Sequence, residues 1–217
     1  ACFSAPHIDE IGVGTHKIIP SHPGGGCWPP RPRCAGGAAA LGRSRATLRI
    51  YDPYYCSGAV ARHLRALGFE QIHNEREDLY EVLRSERLPQ HDVVDTHPPY
   101  SADHVRRLLA FCAANAKPYC LLLPNYVCQR PEYGLIAPQY YVCPRKRYNY
   151  WTPKAFRGRD KSQGHVSALG HRTSPFASYW HVSLAPLRSS APLAELRRHG
   201  GPHYCASISE LPAGARC

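Results

Sequence analysis

The hydrophobic positions between residues 46 and 124 follow two alternating periods. Short apolar runs, typical of buried strands, are separated by segments in which apolar residues recur every three to four positions, the spacing of one helix face. The predicted strands cover residues 47–51, 69–73, 92–95 and 117–123.

The helices predicted between these strands have their own start and stop signals. Val60, Leu64 and Leu67 share one face of a helix that Ser57 caps and Gly68 ends. A second helix begins at an acidic turn and buries Leu79, Val82 and Leu83. A third helix is capped by Ser101, carries Asp103 in its first turn, and buries Val105, Leu108, Leu109 and Cys112.

Strands that alternate with helices at this spacing predict an α/β fold with a doubly wound, Rossmann-like parallel sheet. Residues 139–143 and 178–184 also have strand character, and the latter alternates in polarity. We expect them to form an antiparallel hairpin that closes the sheet.

Composition divides the chain into a central domain, residues 46–185, and two extensions. Residues 1–45 contain eight Gly and six Pro and are predicted to be an irregular N-terminal extension, either a basic arm or a tail or targeting remnant. Residues 186–217 are predicted to be a C-terminal extension with one short helix near 193–198. Within the domain, residues 139–172 are a basic insertion with eight Lys and Arg, one acid and interleaved aromatics.

The net charge favours a polyanionic partner. The 27 Lys and Arg residues exceed the 16 Asp and Glu residues by 11, which favours nucleic acid, with a surface kept basic for solubility as the alternative. No apolar run approaches the ~20 residues of a membrane span, so no membrane partner is predicted.

The ten cysteines indicate a reducing, intracellular location rather than a disulfide framework. Cys112 and Cys120 lie inside apolar runs, where cysteine behaves as a small hydrophobic residue. The mitochondrion is one candidate compartment, and the nucleus and cytoplasm stay open. The spacing of His16, His22, Cys27 and Cys34 matches no zinc pattern, so no metal site is predicted.

Four polar or turn-forming segments follow the predicted strands: residues 52–54, 74–75, 96–100 and 124–125. Ligands of doubly wound sheets bind at the carboxyl ends of the strands, so these segments are expected to meet in one site.

Two of these segments resemble motifs of S-adenosylmethionine-dependent amino-methyltransferases of the adenine-N6 type. Asp52-Pro53-Tyr54-Tyr55-Cys56-Ser57-Gly58 resembles their DPF-x-GSG cofactor loop, with Cys56 in place of a glycine. Thr96-His97-Pro98-Pro99-Tyr100 resembles their (Asn/Asp)-Pro-Pro-Tyr motif, with His97 at the Asn/Asp position. The resemblance covers residues 46–184.

The resemblance implies S-adenosylmethionine as cofactor and assigns roles to two groups of residues. Cofactor binding falls to Asp52, Tyr54, Ser57, Gly58, Asn74, Glu75, Asp78 and Thr96. Presentation of the target amine falls to His97, Pro98, Pro99 and Tyr100. For Glu75 and Asp78, a solvated turn and a helix cap are the alternative interpretation.

The basic insertion predicts a nucleic-acid surface in which cations bind phosphates and aromatic rings stack on bases. Its candidate residues are Arg145, Lys146, Arg147, Tyr148, Tyr150 and Trp151. Alternatively, these aromatics are core residues of the closing hairpin. Phe176 and the three residues before it are expected beside the substrate.

The sequence therefore predicts an S-adenosylmethionine-dependent N-methyltransferase-like protein that acts on or binds nucleic acid, most readily RNA. The alternative is a catalytically inactive subunit with the methyltransferase fold in a large ribonucleoprotein, such as an organellar ribosome. A protein methyltransferase acting on Gln or Lys is a third interpretation.

Overall fold

The structure, a computed structural model, describes residues 17–18, 43–55, 58–100, 103–148, 150–151, 176–184, 191–198 and 202–216. The predicted helix caps Ser57 and Ser101, and the altered loop position Cys56, lie outside these residues.

The described strands form a seven-stranded mixed sheet and a separate two-stranded sheet. The strands are β1 (Lys17–Ile18), β2 (Ile50–Tyr51), β3 (Ile72–His73), β4 (Val93–Thr96), β5 (Tyr119–Pro124), β6 (Tyr140–Cys143), β7 (Tyr150–Trp151), β8 (Ser178–Ser183) and β9 (His203–Cys205). The large sheet has the order β3-β2-β4-β5-β8-β6-β9, and β1 pairs with β7 antiparallel.

The large sheet is parallel in its first half and antiparallel in its second. β2 is parallel to β3 and β4, and β4 is parallel to β5. β8 then pairs antiparallel with both β5 and β6, and β9 pairs antiparallel with β6. The expected parallel core and closing antiparallel pair are therefore confirmed, and β6 points in the same direction as β5.

Among the described residues, four α-helices accompany the strands: α1 (Ala59–Ala66), α2 (Leu79–Arg84), α3 (His104–Asn115) and α4 (Ala191–Arg198). The buried face predicted for α3, with Leu108 and Leu109, is confirmed, although Asp103 occupies the N-cap position, without a side-chain capping hydrogen bond, instead of lying in the first turn. In α1, Leu64 is fully buried, but Leu67 is 44% exposed because the helix ends at Ala66. Within the described ranges, no helix combines the length and apolar character needed to cross a bilayer.

Helices cover both faces of the sheet. α2 and α3 pack on the face that carries Val94, Leu121 and Leu123. α1 packs on the opposite face against Ile50 and Val93, and α4 extends that layer beyond β5. Every residue of β8 is buried because this strand lies between two other strands and is covered on both faces. The alternation of polar and apolar residues along β8 therefore does not correspond to one solvent-exposed face.

Segments from both predicted extensions contribute strands to the two sheets. β9, from the supposed C-terminal extension, forms one edge of the large sheet, and Leu211 and Ala215 behind it are buried. β1, from the supposed N-terminal extension, pairs with β7 in the basic insertion. Strand pairing over long sequence separations is not visible in local composition.

The described cysteines are mostly small buried residues, as expected. Cys112, Cys143 and Cys205 are buried free thiols, and Cys120 is a partly buried one. Burial raises the pKa of the Cys112 thiol to about 12, so it stays protonated. Cys128, in contrast, is disulfide-bonded, which departs from the reduced state expected for this chain. The cellular location stays a prediction.

A buried histidine lies among tyrosines on the α3 face of the sheet. His181 is fully buried, and its Nδ1 is 2.7 Å from the Tyr133 hydroxyl. Its ring stacks on Tyr179 at 4.7 Å and meets Tyr141 edge-on at 5.3 Å. Burial lowers the pKa of His181 to about 3, so its imidazole is neutral. The Tyr133 hydroxyl donates to the Tyr141 hydroxyl over 3.2 Å, so the Nδ1–H of His181 donates to the Tyr133 oxygen.

We expect His181 to make the protein less stable in mild acid. Between pH 6.5 and about pH 3, His181 is protonated in the unfolded chain and neutral in the folded chain. Each pH unit of acidification in this range therefore lowers the unfolding free energy by about 1.4 kcal/mol. His181→Asn removes the titration, while the side-chain amide of Asn can still donate a hydrogen bond to the Tyr133 oxygen. Urea unfolding between pH 7.5 and 4.5 should show a shallower pH dependence for this variant; an unchanged slope contradicts the assignment.

Gly68 ends α1 with φ +88°, and we expect Gly68→Ala to lower the unfolding free energy by about 1 kcal/mol because an L side chain is strained there. The strain is in the backbone, because the nearest atom to an added Cβ is 3.8 Å away. Gly214→Ala is the matched control, since that Cβ meets nothing within 4 Å. Equal stability losses in urea unfolding would contradict this account.

Candidate functional site

The strand order puts a topological switch point at the carboxyl ends of β2 and β4, and we call this place the crevice. From β2 the chain moves to β3 on one side and then crosses to β4 on the other, so the connections leave neighbouring strands in opposite directions. Such a switch point is where doubly wound sheets bind ligands. Asp52 follows β2 directly, and Thr96 is the last residue of β4.

The side chains of Asp52 and Thr96 are hydrogen-bonded to each other. The Thr96 hydroxyl donates to Asp52 Oδ1 over 2.6 Å, and the Tyr54 amide donates to the same oxygen over 3.2 Å. Asp52 is 1% exposed, so these bonds stabilise a carboxylate that has lost most of its water. The bond connects the two predicted motifs directly.

Asn74 completes the buried part of the crevice. Its Nδ2 donates to the Asp52 carbonyl oxygen over 3.2 Å, and the residue is 4% exposed. Its Oδ1 has no hydrogen-bond partner among the described residues. A buried acceptor left unpaired costs about 1–3 kcal/mol, which a ligand that donates a hydrogen bond would recover.

The acidic residues after β3 do not lie in the buried crevice. Glu75 is exposed. Asp78 is exposed and caps α2, where its Oδ1 accepts from the Tyr80 amide over 2.8 Å. Asp78 therefore fits the alternative interpretation, a helix cap, because its carboxylate already accepts a hydrogen bond from the first turn of α2.

An aromatic cluster that the sequence did not reveal lies beside this end of the crevice. The Tyr54 and Tyr80 hydroxyls are 3.5 Å apart, and the Tyr80 hydroxyl is 2.5 Å from His104 Nδ1. Arg107 lies over the Tyr80 ring at 4.5 Å. Burial raises the pKa of both tyrosines and lowers the pKa of His104, which favours a phenol donating to a neutral imidazole.

Gly58 begins α1 in a conformation that requires glycine. Its φ is +63°, its amide donates to the Tyr55 carbonyl over 2.8 Å, and an added Cβ would lie 3.0 Å from the Tyr55 hydroxyl. The backbone of this loop therefore turns tightly where it enters the helix. Ser57 lies outside the described residues.

The His-Pro-Pro-Tyr turn leaves β4 beside the crevice. Pro98 is buried, whereas His97, Pro99 and Tyr100 are partly exposed. The His97 and Tyr100 rings are 5.0 Å apart. The Tyr100 hydroxyl donates to the Leu122 carbonyl over 3.3 Å, which ties the turn to β5.

Two further aromatic residues extend the surface that begins at Tyr100. Phe176 meets Tyr100 edge-on at 5.6 Å and Tyr126 at 5.4 Å, and Arg130 lies over the Tyr126 ring at 5.5 Å. We call Tyr100, Phe176 and Tyr126 the aromatic wall. Phe176 was predicted from the sequence to lie near the site, whereas Tyr126 and Arg130 were not. Their position just after β5 was the feature of the sequence that could have identified them.

The basic segment, Arg145, Lys146 and Arg147, is exposed after the carboxyl end of β6, which lies at the same sheet edge as the crevice. Tyr148 corrects the prediction of a base-stacking surface. It is 8% exposed, and its hydroxyl accepts from the Trp180 indole over 3.2 Å, so it is a core residue.

Tyr150 and Trp151 form β7, and their side chains lie outside the described residues. The described part of the chain contains no group of three or more His, Cys, Asp and Glu residues that could hold a metal ion. His16, His22, Cys27 and Cys34 lie outside it.

Comparisons of the chain with protein-family models, curated proteins and solved structures found no match.

Proposed function

We propose that this chain binds S-adenosylmethionine in the crevice between β2 and β4 and transfers its methyl group to an amine of nucleic acid, most readily RNA. The observation that carries the proposal is the 2.6 Å hydrogen bond between Thr96 and the buried Asp52. It couples the two segments that resemble the cofactor loop and the amine-presenting turn of amino-methyltransferases. The mixed sheet, with its parallel core and closing antiparallel strands, fits a Rossmann-like methyltransferase fold.

The residues around the crevice fit the polar groups of the cofactor. Asp52 and the tight turn at Gly58 suit its amino-acid end, because a carboxylate and free amides at a helix start recognise an ammonium and a carboxylate. The unpaired Oδ1 of Asn74 suits a ribose hydroxyl better than the exposed Glu75 does. Tyr54 offers an apolar ring beside the same end.

The His-Pro-Pro-Tyr turn suits the presentation of an amine. The bound cofactor supplies an electrophilic methyl group. A neutral His97 imidazole and a proline carbonyl each accept one hydrogen bond from the target NH2, which leaves the nitrogen lone pair directed toward the methyl carbon. Tyr100 provides a partly exposed ring on which the target base stacks. His97 acts only when neutral, since imidazolium has no acceptor.

Nucleic acid is favoured over protein as substrate by charge. The basic segment lies at the same sheet edge as the crevice, and the chain carries a net charge of +11. Cations on the substrate side neutralise phosphates, and a glutamine or lysine side chain has no need of them.

His97 also favours a second candidate, an inactive subunit with this fold in a large ribonucleoprotein. An imidazole differs in reach and shape from the carboxamide or carboxylate that the related motif carries at this position. Such a subunit keeps the basic surface for RNA and loses methyl transfer.

We expect Asp52→Asn to weaken S-adenosylmethionine binding at least tenfold in titration calorimetry, because the variant removes the charge that pairs with the cofactor ammonium. Asp92→Asn is the matched control: this carboxylate pairs with Arg49 over 2.7 Å before β4, at the amino edge of the sheet. The control should lose stability and keep cofactor affinity. Absence of wild-type binding at millimolar cofactor would contradict the proposal.

We expect His97→Ala to lower methyl transfer to single-stranded RNA by a factor of about 100 and His97→Asn to retain it, because the carboxamide oxygen also accepts from the amine. Transfer is measured with tritium-labelled cofactor, and cofactor affinity should be unchanged in both variants. A wild-type protein that binds the cofactor and transfers nothing, with His97→Asn equally inactive, would favour the ribonucleoprotein subunit.

A further inference from the structure

The burial of Tyr148 removes the ring next to the basic segment from any contact with a base, so the aromatic part of a nucleic-acid surface must come from another part of the molecule. The aromatic wall supplies partly exposed rings at the same sheet edge. We propose that a continuous track from the basic segment to the aromatic wall binds single-stranded nucleic acid, and that Tyr126 and Arg130 hold a nucleotide next to the target. The inference rests on the proposed function, because the track ends at Tyr100.

The C-terminal turn connects the two parts of this track. The Arg147 guanidinium donates to the Gly214 carbonyl over 3.0 Å. Two residues further on, the carbonyl of Arg216 accepts from Asn125 Nδ2 over 2.9 Å. Asn125 immediately precedes Tyr126, and its amide donates to the Ala177 carbonyl next to Phe176 over 2.8 Å. The basic segment, Arg216 and the aromatic wall therefore lie side by side.

Charge along the track suits a phosphate backbone. Arg145, Lys146, Arg147 and Arg216 are exposed, and Arg130 is partly exposed. Two acids accompany them in residues 125–148 and 202–216, namely Glu132 and Glu210. Glu210 is paired with Arg197 over 2.6 Å, so it offsets little of this positive charge.

The cation–π geometry of Arg130 and Tyr126 suits one nucleotide. Arg130 lies over the Tyr126 ring and thereby fixes a positive charge next to an aromatic surface. A base can stack on the aromatic wall while its phosphate meets the guanidinium, an arrangement open to unpaired bases and closed to a duplex. The track therefore recognises single strands, and RNA and DNA share this chemistry.

The experiment measures the binding of fluorescein-labelled oligonucleotides of about 12 nucleotides, as single-stranded RNA, single-stranded DNA and duplex, by fluorescence anisotropy without cofactor. The track variant changes Arg145, Lys146 and Arg147 to Gln. The control variant changes Arg45, Arg65 and Arg87 to Gln, which removes the same charge from exposed positions at the opposite, amino edge of the sheet. Arg45 matches Arg147 closely, because it also donates to a backbone carbonyl, that of Leu67, over 2.9 Å.

We expect the track variant to bind single-stranded RNA at least tenfold more weakly and to lower the salt dependence of log K by about 2, whereas the control variant changes affinity less than twofold. Tyr126→Leu should weaken binding of single strands several-fold with an unchanged salt dependence, Tyr126→Phe should bind like the wild type, and Arg130→Gln should reduce both affinity and salt dependence. Wild-type protein should bind the duplex more weakly than either single strand.

Equal losses in the track and control variants would overturn the proposal, as would equal affinity for duplex and single strand together with no effect of Tyr126→Leu. If Tyr126→Leu fails to fold, judged by circular dichroism, Arg130→Gln decides the same point. Cofactor titration separates the two proposals: a protein that binds RNA along the track but never binds S-adenosylmethionine retains this inference and loses the proposed function.

Discussion

The hydrogen bond from Thr96 to the buried carboxylate of Asp52 fixes the relative position of β2 and β4 at the switch point of the sheet. A carboxylate that is 1% exposed persists only with good donors, and any shift of β4 against β2 would break the shorter of its two hydrogen bonds described above. Asn74 is bonded to the same turn and thereby aligned with it. The geometry of the candidate site is consequently determined mainly by the pairing of the strands and less by the loops that follow them.

A second constraint acts beside the aromatic wall, where residues 213–216 are built into the surface. The turn Ala213–Ala215 and Arg216 lie between the basic segment and Tyr126, and Ala215 is buried behind them. Residues that are far apart in sequence are therefore held at one sheet edge by hydrogen bonds from the side chains of Asn125 and Arg147 to backbone carbonyls. This explains how exposed, long side chains keep a defined arrangement at low cost in conformational entropy.

The sequence predicted the parallel half of the fold well because each strand and helix there leaves a local signal. Leu108 and Leu109 repeat at helical spacing, and Gly68 marks a helix end through its positive φ. The prediction failed where strand pairing is long-range, because β9 carries no local signal that distinguishes it from an irregular extension. Tyr148 was predicted to be a surface aromatic residue because its contact with Trp180 is visible only in the structure. In the site, the motifs identified Asp52 and Thr96, but only the structure separates the buried Asn74 from the exposed Glu75.

The position of β8 between β5 and β6 has a consequence for how the chain folds. β2 to β5 are joined by short connections through α1, α2 and α3, so their pairing closes small loops. β8 must instead find β5 across residues 125–177, and β9 can add to the sheet only through β6. From these connections we expect the parallel half to form first and the part of the sheet that carries β8, β6 and β9 to be added last.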